Sequence, residues 1–275
     1  DQPRDFLNHH KWPLIIDEAQ YAPELFSYIQ LIVDKENKQG MFILTGSQNF
    51  LLMKKVSQSL AGRTGIINLL PFSYHEIKQN KAHLDTNTLI LKGFYPRLYQ
   101  SVSNAPLFYK SYINTYVEKD VRQLSNISNM NNFIRFIKLC AGRCGQLLNI
   151  SSLATEAGIS YNTCNAWISY LTAGFVIQLV LPYYKNFNKR IIKSPMLYFT
   201  DTGLLCHLLG INSSESLALH HLRGSIFENL IYIELLKTQW NNGNESGLWF
   251  WRDNHGTEID FILEKEAVTT AIEVK

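Results

Sequence analysis

Two adjacent carboxylates, Asp17 and Glu18, follow directly on the apolar run Pro13-Leu14-Ile15-Ile16. A short all-apolar run is the pattern of a strand buried on both faces of a parallel sheet. Ligands bind beyond the carboxyl ends of such strands, where this pair would stand. Side by side the two charges repel, and a magnesium ion carrying a nucleotide would offset them. A second run, Met41-Phe42-Ile43-Leu44, ends in Thr45-Gly46-Ser47. Between the runs, Leu25, Tyr28, Ile29 and Ile32 recur at helical spacing after Pro23, which suits a first helical turn. Strand, helix, strand of this length predicts a βαβ unit with parallel strands and both polar tips on the ligand side.

A second set of acidic residues lies near the other end. Glu228 falls in the run Phe227–Leu236, read as a helix, and Asp260 falls in a strand over 258–263. That strand pairs with 248–251 across the turn Asp253-Asn254-His255-Gly256, and Glu273-Val274-Lys275 closes a further strand. Residues two apart on a strand share a face, so Glu273 and Lys275 point the same way, and Asp260 can join them from the neighbouring strand. Asp260 and Glu273 could then share a divalent cation, with Glu228 completing the site and Lys275 orienting a water or stabilising phosphorane-like charge. The plainer reading is a half-solvated strand, which alternates charged and apolar residues for no chemical reason.

Between these sets, 147–173 has helix-turn-helix grammar. Ser151 or Ser152 caps a short helix that stops at Gly158, and Tyr161 starts a second with Ala166, Trp167, Tyr170 and Leu171 toward the core. The apolar stretches 175–181 and 191–199 predict a hairpin, hence a winged helix. The hairpin's tip mixes aromatic and basic residues, and Lys185, Lys189, Arg190 and Lys193 could lie along the phosphates of double-stranded DNA. The second helix offers Asn162, Thr163 and Asn165 and no arginine, so base reading is weak, and protein binding remains the alternative.

The run PLIIDEAQ is similar to the Walker B strand of AAA-plus-like P-loop ATPases, FILTGS to the sensor-1 strand, and SLAGRT to the segment with an arginine finger. With LLPFSYHEI following, the order resembles the bacterial and archaeal ATPases whose C-terminal part is DUF4143. The resemblance implies ATP and Mg²⁺ as ligands. Asp17 would hold the magnesium, Glu18 polarise the attacking water, Ser47 sense the γ-phosphate, and Arg63 offset transition-state charge. Such an arginine can serve a neighbouring subunit, which implies a homo-oligomer. E…EIDFIL…IEVK likewise resembles the PD-(D/E)xK nuclease-like fold, with Glu228, Asp260, Glu273 and Lys275 as its site. The chain departs from the ATPase pattern in one respect: it contains no GxxxxGK[ST], the loop whose backbone amides and lysine cradle phosphates.

The expected fold class is therefore α/β and multi-domain. It comprises a partial P-loop parallel sheet over 1–75, a helical lid over 76–135, a winged helix over 136–200 and an incomplete restriction-endonuclease-like α/β domain over 201–275. At 275 residues, 46% hydrophobic and 18% charged, the composition suits folded modules of this size. No apolar run approaches the roughly 20 residues that span a bilayer, and Cys140, Cys144, Cys164 and Cys206 fit neither zinc-ligand nor disulfide spacing. The expected setting is reduced and cytoplasmic. A net charge of +3 permits nucleic-acid contact without requiring it. The chain enters a strand within a few residues of Asp1 and stops inside another at Lys275, so it reads as the ordered part of something longer.

Overall fold

The computed structural model describes residues 2–46, 56, 59–80, 84–100, 104–116, 130–184, 194–244, 247–253, 255–265 and 268–275. The chain divides into two compact units, Asp1–Ile67 and Asn68–Lys275.

In the first unit, helix α1 (Pro3–His9) precedes strand β1 (Leu14–Ile16), and helix α2 (Leu25–Glu36) leads to strand β2 (Phe42–Leu44). The strands pair in parallel, Leu14 with Phe42, Ile15 with Ile43 and Ile16 with Leu44, as the βαβ pattern requires. Leu7, Ile16, Phe26 and Ile29 form the core under one face. The other face corrects the expectation of strands buried on both sides: the partners Ile15 and Ile43 are 65% and 52% exposed. An apolar run does not by itself say how many faces are covered, and among the described residues only one face of this pair is packed.

The second unit is mostly helical at first: α3 (Tyr74–Asn80), α4 (Thr86–Lys92), α5 (Arg97–Gln100), α6 (Ala105–Tyr116) and α7 (Met130–Ala141). Next come β3 (Gln146–Leu147), α8 (Ile150–Ala157), α9 (Tyr161–Ala173), β4 (Ile177–Val180) and β5 (Met196–Phe199). The three strands form an antiparallel sheet in the order β3-β5-β4. The cap of α8 is Asn149, whose side chain accepts from Ser152 N at 3.0 Å, rather than either serine. α9 starts at the cap Ser160 and buries Cys164, Trp167, Ile168 and Leu171. Then α10 (Thr202–Leu208), α11 (Ser214–Leu219) and the long α12 (Arg223–Asn241) lead into an antiparallel meander of β6 (Leu248–Arg252), β7 (Glu258–Lys265) and β8 (Val268–Ile272).

One apolar cluster runs from Ile77 through Phe133, Trp167 and Phe199 to Phe261, so these elements share a single core. The two sheets are also joined directly. Tyr183 N donates to Phe250 O at 2.6 Å, and Phe250 N to Leu181 O at 3.3 Å, across a parallel bridge between Pro182 and Phe250.

Two buried polar knots tie this core. Asp201, wholly buried, caps α10 through Leu204 N at 2.8 Å and accepts from Phe94 N and Tyr109 Oη, each at 2.7 Å. Burial pushes its carboxyl above the usual range, against the pull of those hydrogen bonds and of Lys237. Lys237, 1% exposed, donates to Phe72 O at 2.8 Å and Glu234 at 2.9 Å, and its ammonium lies 3.9 Å from the centre of the Phe94 ring. In the second knot the Asn229 side chain behaves like one more strand residue. It accepts from Phe199 N at 2.6 Å, donates to Phe199 O at 2.9 Å, and thereby fixes α12 to β5.

Candidate functional site

The carboxylates of the first unit stand where the strand pattern places them. Asp17 is the first residue past β1, and the Thr45 hydroxyl, just past β2, donates to its Oδ1. The backbone repeats the link: Thr45 N donates to Ile16 O at 3.0 Å, and Ala19 N to Thr45 O at 2.9 Å. The parallel ladder therefore continues into the turn and holds both polar tips at one end of the sheet. Glu18 has φ = 51°, in the left-handed region that costs a non-glycine residue of order 1 kcal/mol. Gln20 donates its amide to the Glu18 carboxylate from a buried position in the short 3-10 turn Ala19–Tyr21. Asp17 and Thr45 supply the hard oxygen donors that a magnesium ion takes.

Arg63 is on the surface and turned onto its own chain. Its Nε and Nη2 meet the two oxygens of Asp34, on α2, at 2.5 and 3.0 Å, and its Nη1 donates to Ala61 O at 3.2 Å. This fork-to-fork pairing raises the arginine's proton affinity and lowers that of Asp34. Ser47 lies outside the described residues, as do Lys185, Lys189, Arg190 and Lys193 of the hairpin tip.

In the second unit, Glu228 and Asp260 line one cleft of about 430 Å³, together with Gly145, Gln146, Met196, Arg252 and Glu258. Its walls come from the β3–β5 sheet on one side and from β7 on the other. Glu228 accepts from the Tyr198 hydroxyl. Tyr198, wholly buried on β5, is stacked 4.7 Å from Tyr232. Gly145 suits this place because its φ is 71°, and a Cβ would in addition sit tightly, 3.3 Å from Ser225 Cβ. Asp260 Oδ2 accepts from Val274 N at 2.7 Å, so the third strand is fastened just beyond Ile272 through this side chain. Glu273 and Lys275 are exposed beyond the end of β8. Among the described residues no group of three or more His, Cys, Asp or Glu is placed to hold a metal ion, and the cleft lining includes Glu228 and Asp260 but not Glu273.

Burial raises the Glu228 pKa from 4.5 to about 7. The Tyr198 hydrogen bond opposes the shift, and Asp260 and Glu258 add to it. A carboxyl whose folded value is raised favours the fold while protonated. This contribution is complete below pH 4.5 and lost as pH rises through about 7. In chelator, the unit is expected to lose about 3 kcal/mol across that window, and Glu228→Gln to flatten the loss. Urea midpoints at several pH values check this; equal slopes for wild type and variant would refute it.

Residues 2–78 match the AAA domain family, and residues 223–275 match the domain of unknown function DUF4143. The chain carries an AAA domain and a DUF4143 domain. Between them, residues 83–215 match the domain of unknown function DUF8612. Uncharacterized proteins of Mycobacterium tuberculosis and Mycobacterium bovis are each 28% identical over 264 residues, or 95% of this chain. The chain spans 58% of the length of these curated relatives. No solved structure matches it. No helix among the described residues is long and apolar enough to cross a membrane.

The AAA match contains Asp17, Glu18, Thr45 and Arg63, and the DUF4143 match contains Glu228, Arg252, Glu258 and Asp260. The wall of the DUF4143 cleft formed by Gly145, Gln146 and Met196 belongs to the preceding domain. Tyr198, Asn229 and Asp34 carried no sequence signal, because each acts through a partner distant along the chain. Thr45 and Gln20 lie inside the runs FILTGS and DEAQ that carried the resemblance, where a polar residue next to the acidic pair was the available clue.

Proposed function

We propose that the whole protein binds and hydrolyses ATP with Mg²⁺ and passes its nucleotide state to the DUF4143 cleft. One observation carries this reading: within an AAA match, Asp17 and Thr45 are joined at the carboxyl tips of two adjacent parallel strands, with Glu18 beside them. Asp17 would hold the magnesium, which when bound neutralises phosphate charge. Glu18 accepts a proton from the attacking water, and Ser47 contacts the γ-phosphate. Arg63 leaves Asp34 to offset transition-state charge, in its own subunit or a neighbour's. The phosphate-binding loop is not encoded in these 275 residues, so the assay belongs to the full-length protein. The test is Mg²⁺-dependent ATP hydrolysis, expected in wild type and lost in Asp17→Ala; equal turnover in both would sink the reading.

The same proposal makes α7–α9 with the β3-β5-β4 sheet a winged helix that contacts duplex DNA through Lys185, Lys189, Arg190 and Lys193. The cleft is then nuclease-like, with Glu228, Asp260, Glu273 and Lys275 around a divalent cation. Charge reversal at Lys189 and Arg190 should weaken duplex binding and flatten its salt dependence. Plasmid nicking with Mn²⁺ should disappear in Asp260→Ala. A second reading is a scaffold with a nucleotide switch and no cleavage. It is supported by the exposure of Glu273, which does not line the cleft, and plasmid left intact with every metal tested would favour it.

A further inference from the structure

Gln20 is 8% exposed, and its side chain is split between a satisfied end and an orphaned one. Its Nε2 donates to the Glu18 carboxylate. Its Oε1 is buried with no hydrogen-bond partner, the one such side-chain atom among the described residues. The assignment of the two ends is chemically forced. A carboxylate only accepts, so the amide nitrogen must face Glu18 and the carbonyl must be the end left over. A buried carbonyl without a donor costs about 1–3 kcal/mol, a cost carried here by the residue whose amide holds Glu18. The backbone holds the turn in place around it: Tyr21 N donates to Glu18 O at 3.0 Å and Ala22 N to Ala19 O at 3.1 Å.

We infer that Gln20 is a positioning residue for ATP hydrolysis: its amide donates to the Glu18 carboxylate and aims it at the attacking water. This rests on the ATPase reading above and assigns a role to a residue which that reading leaves idle. A water that donates a hydrogen bond to the aimed Glu18 carboxylate turns a lone pair away from it, toward the γ-phosphorus. Its oxygen then bonds to that phosphorus, and the bond to the β,γ-bridging oxygen breaks with the electron pair leaving on ADP. The proton taken by Glu18 passes on to the phosphate released. An apolar residue of the same size at position 20 would leave the fold intact and Glu18 without the donor that aims it.

The experiment uses the full-length protein, with steady-state ATP hydrolysis and Mg·ATP binding measured for wild type, Gln20→Met, Gln20→Glu and Glu18→Gln. Gln20→Met should lower kcat about 10- to 100-fold with KM and nucleotide affinity within about 3-fold, a loss in the range of a misplaced acid–base group. Gln20→Glu, the same size but like-charged against Glu18, should lose at least as much. In the Glu18→Gln background, Gln20→Met should change the residual rate by less than about 2-fold, because a residue that acts through Glu18 has nothing left to aim. A merely structural role would lower the unfolding temperature and persist in that background, and either result overturns the inference. Wild-type kcat in Gln20→Met also overturns it while leaving the ATPase reading intact. If wild type itself does not hydrolyse ATP, or Glu18→Gln keeps full activity, the ATPase reading falls and takes this inference with it.

Discussion

Asp201→Ala is expected to unfold residues 68–275 under conditions where the wild-type protein is stable. The carboxylate satisfies Phe94 N, Leu204 N and the Tyr109 hydroxyl at once, in a place without solvent. Alanine strands the two backbone donors, each at a cost of about 1–3 kcal/mol, and removes a charge that, after that of Glu234, attracts buried Lys237. A loss of about 3–5 kcal/mol compares with a total stability of about 5–15 kcal/mol for a typical domain. Asn is expected to recover only part, since its amide offers one acceptor oxygen and turns a donor toward a donor. The surrounding packing leaves no easy relaxation: a Cβ on Gly93 would lie 2.0 Å from the Tyr109 hydroxyl, and one on Gly203 2.3 Å from it. Urea or thermal unfolding decides the matter; a midpoint within about 0.5 kcal/mol of wild type would show that the knot is dispensable.

Glu18→Gln should abolish turnover while sparing nucleotide binding. Loss of a positioned general base lowers rate by about 10²–10⁴-fold, whereas the side chain that would meet magnesium is Asp17. Full-length Glu18→Gln is therefore expected to bind Mg·ATP within about 3-fold of wild type and to hold it unhydrolysed. A variant that turns over ATP at more than about a tenth of the wild-type rate would remove Glu18 from the mechanism.

What the residues told in advance follows from the range of their interactions. β1, α2 and β2, the capped pair α8 and α9, and the hairpin β6–β7 were readable because each is set by periodicity or a turn within a dozen residues. The two-residue strand β3 was not, because it has no pattern of its own and exists only by pairing with β5. Asn149 displaced the expected serine caps by lying just ahead of them, which is the usual uncertainty of a helix start. In the candidate sites, Asp17, Glu18, Glu228 and Asp260 were recognisable by type and position. Their partners Thr45 and Tyr198 lie 28 and 30 residues from the carboxylates they meet, separations at which one sequence offers no rule. Lys237 and Phe72, 165 apart, are the extreme case.

The seam at Pro182 and Phe250 has a mechanical consequence. Two sheets that exchange backbone hydrogen bonds and share one apolar core have no bearing on which to swivel. A load applied along α8 or α9 therefore travels to the cleft as through a welded bracket, and the gap between Gly145 and Asp260 can widen only by bending the bracket or breaking the weld.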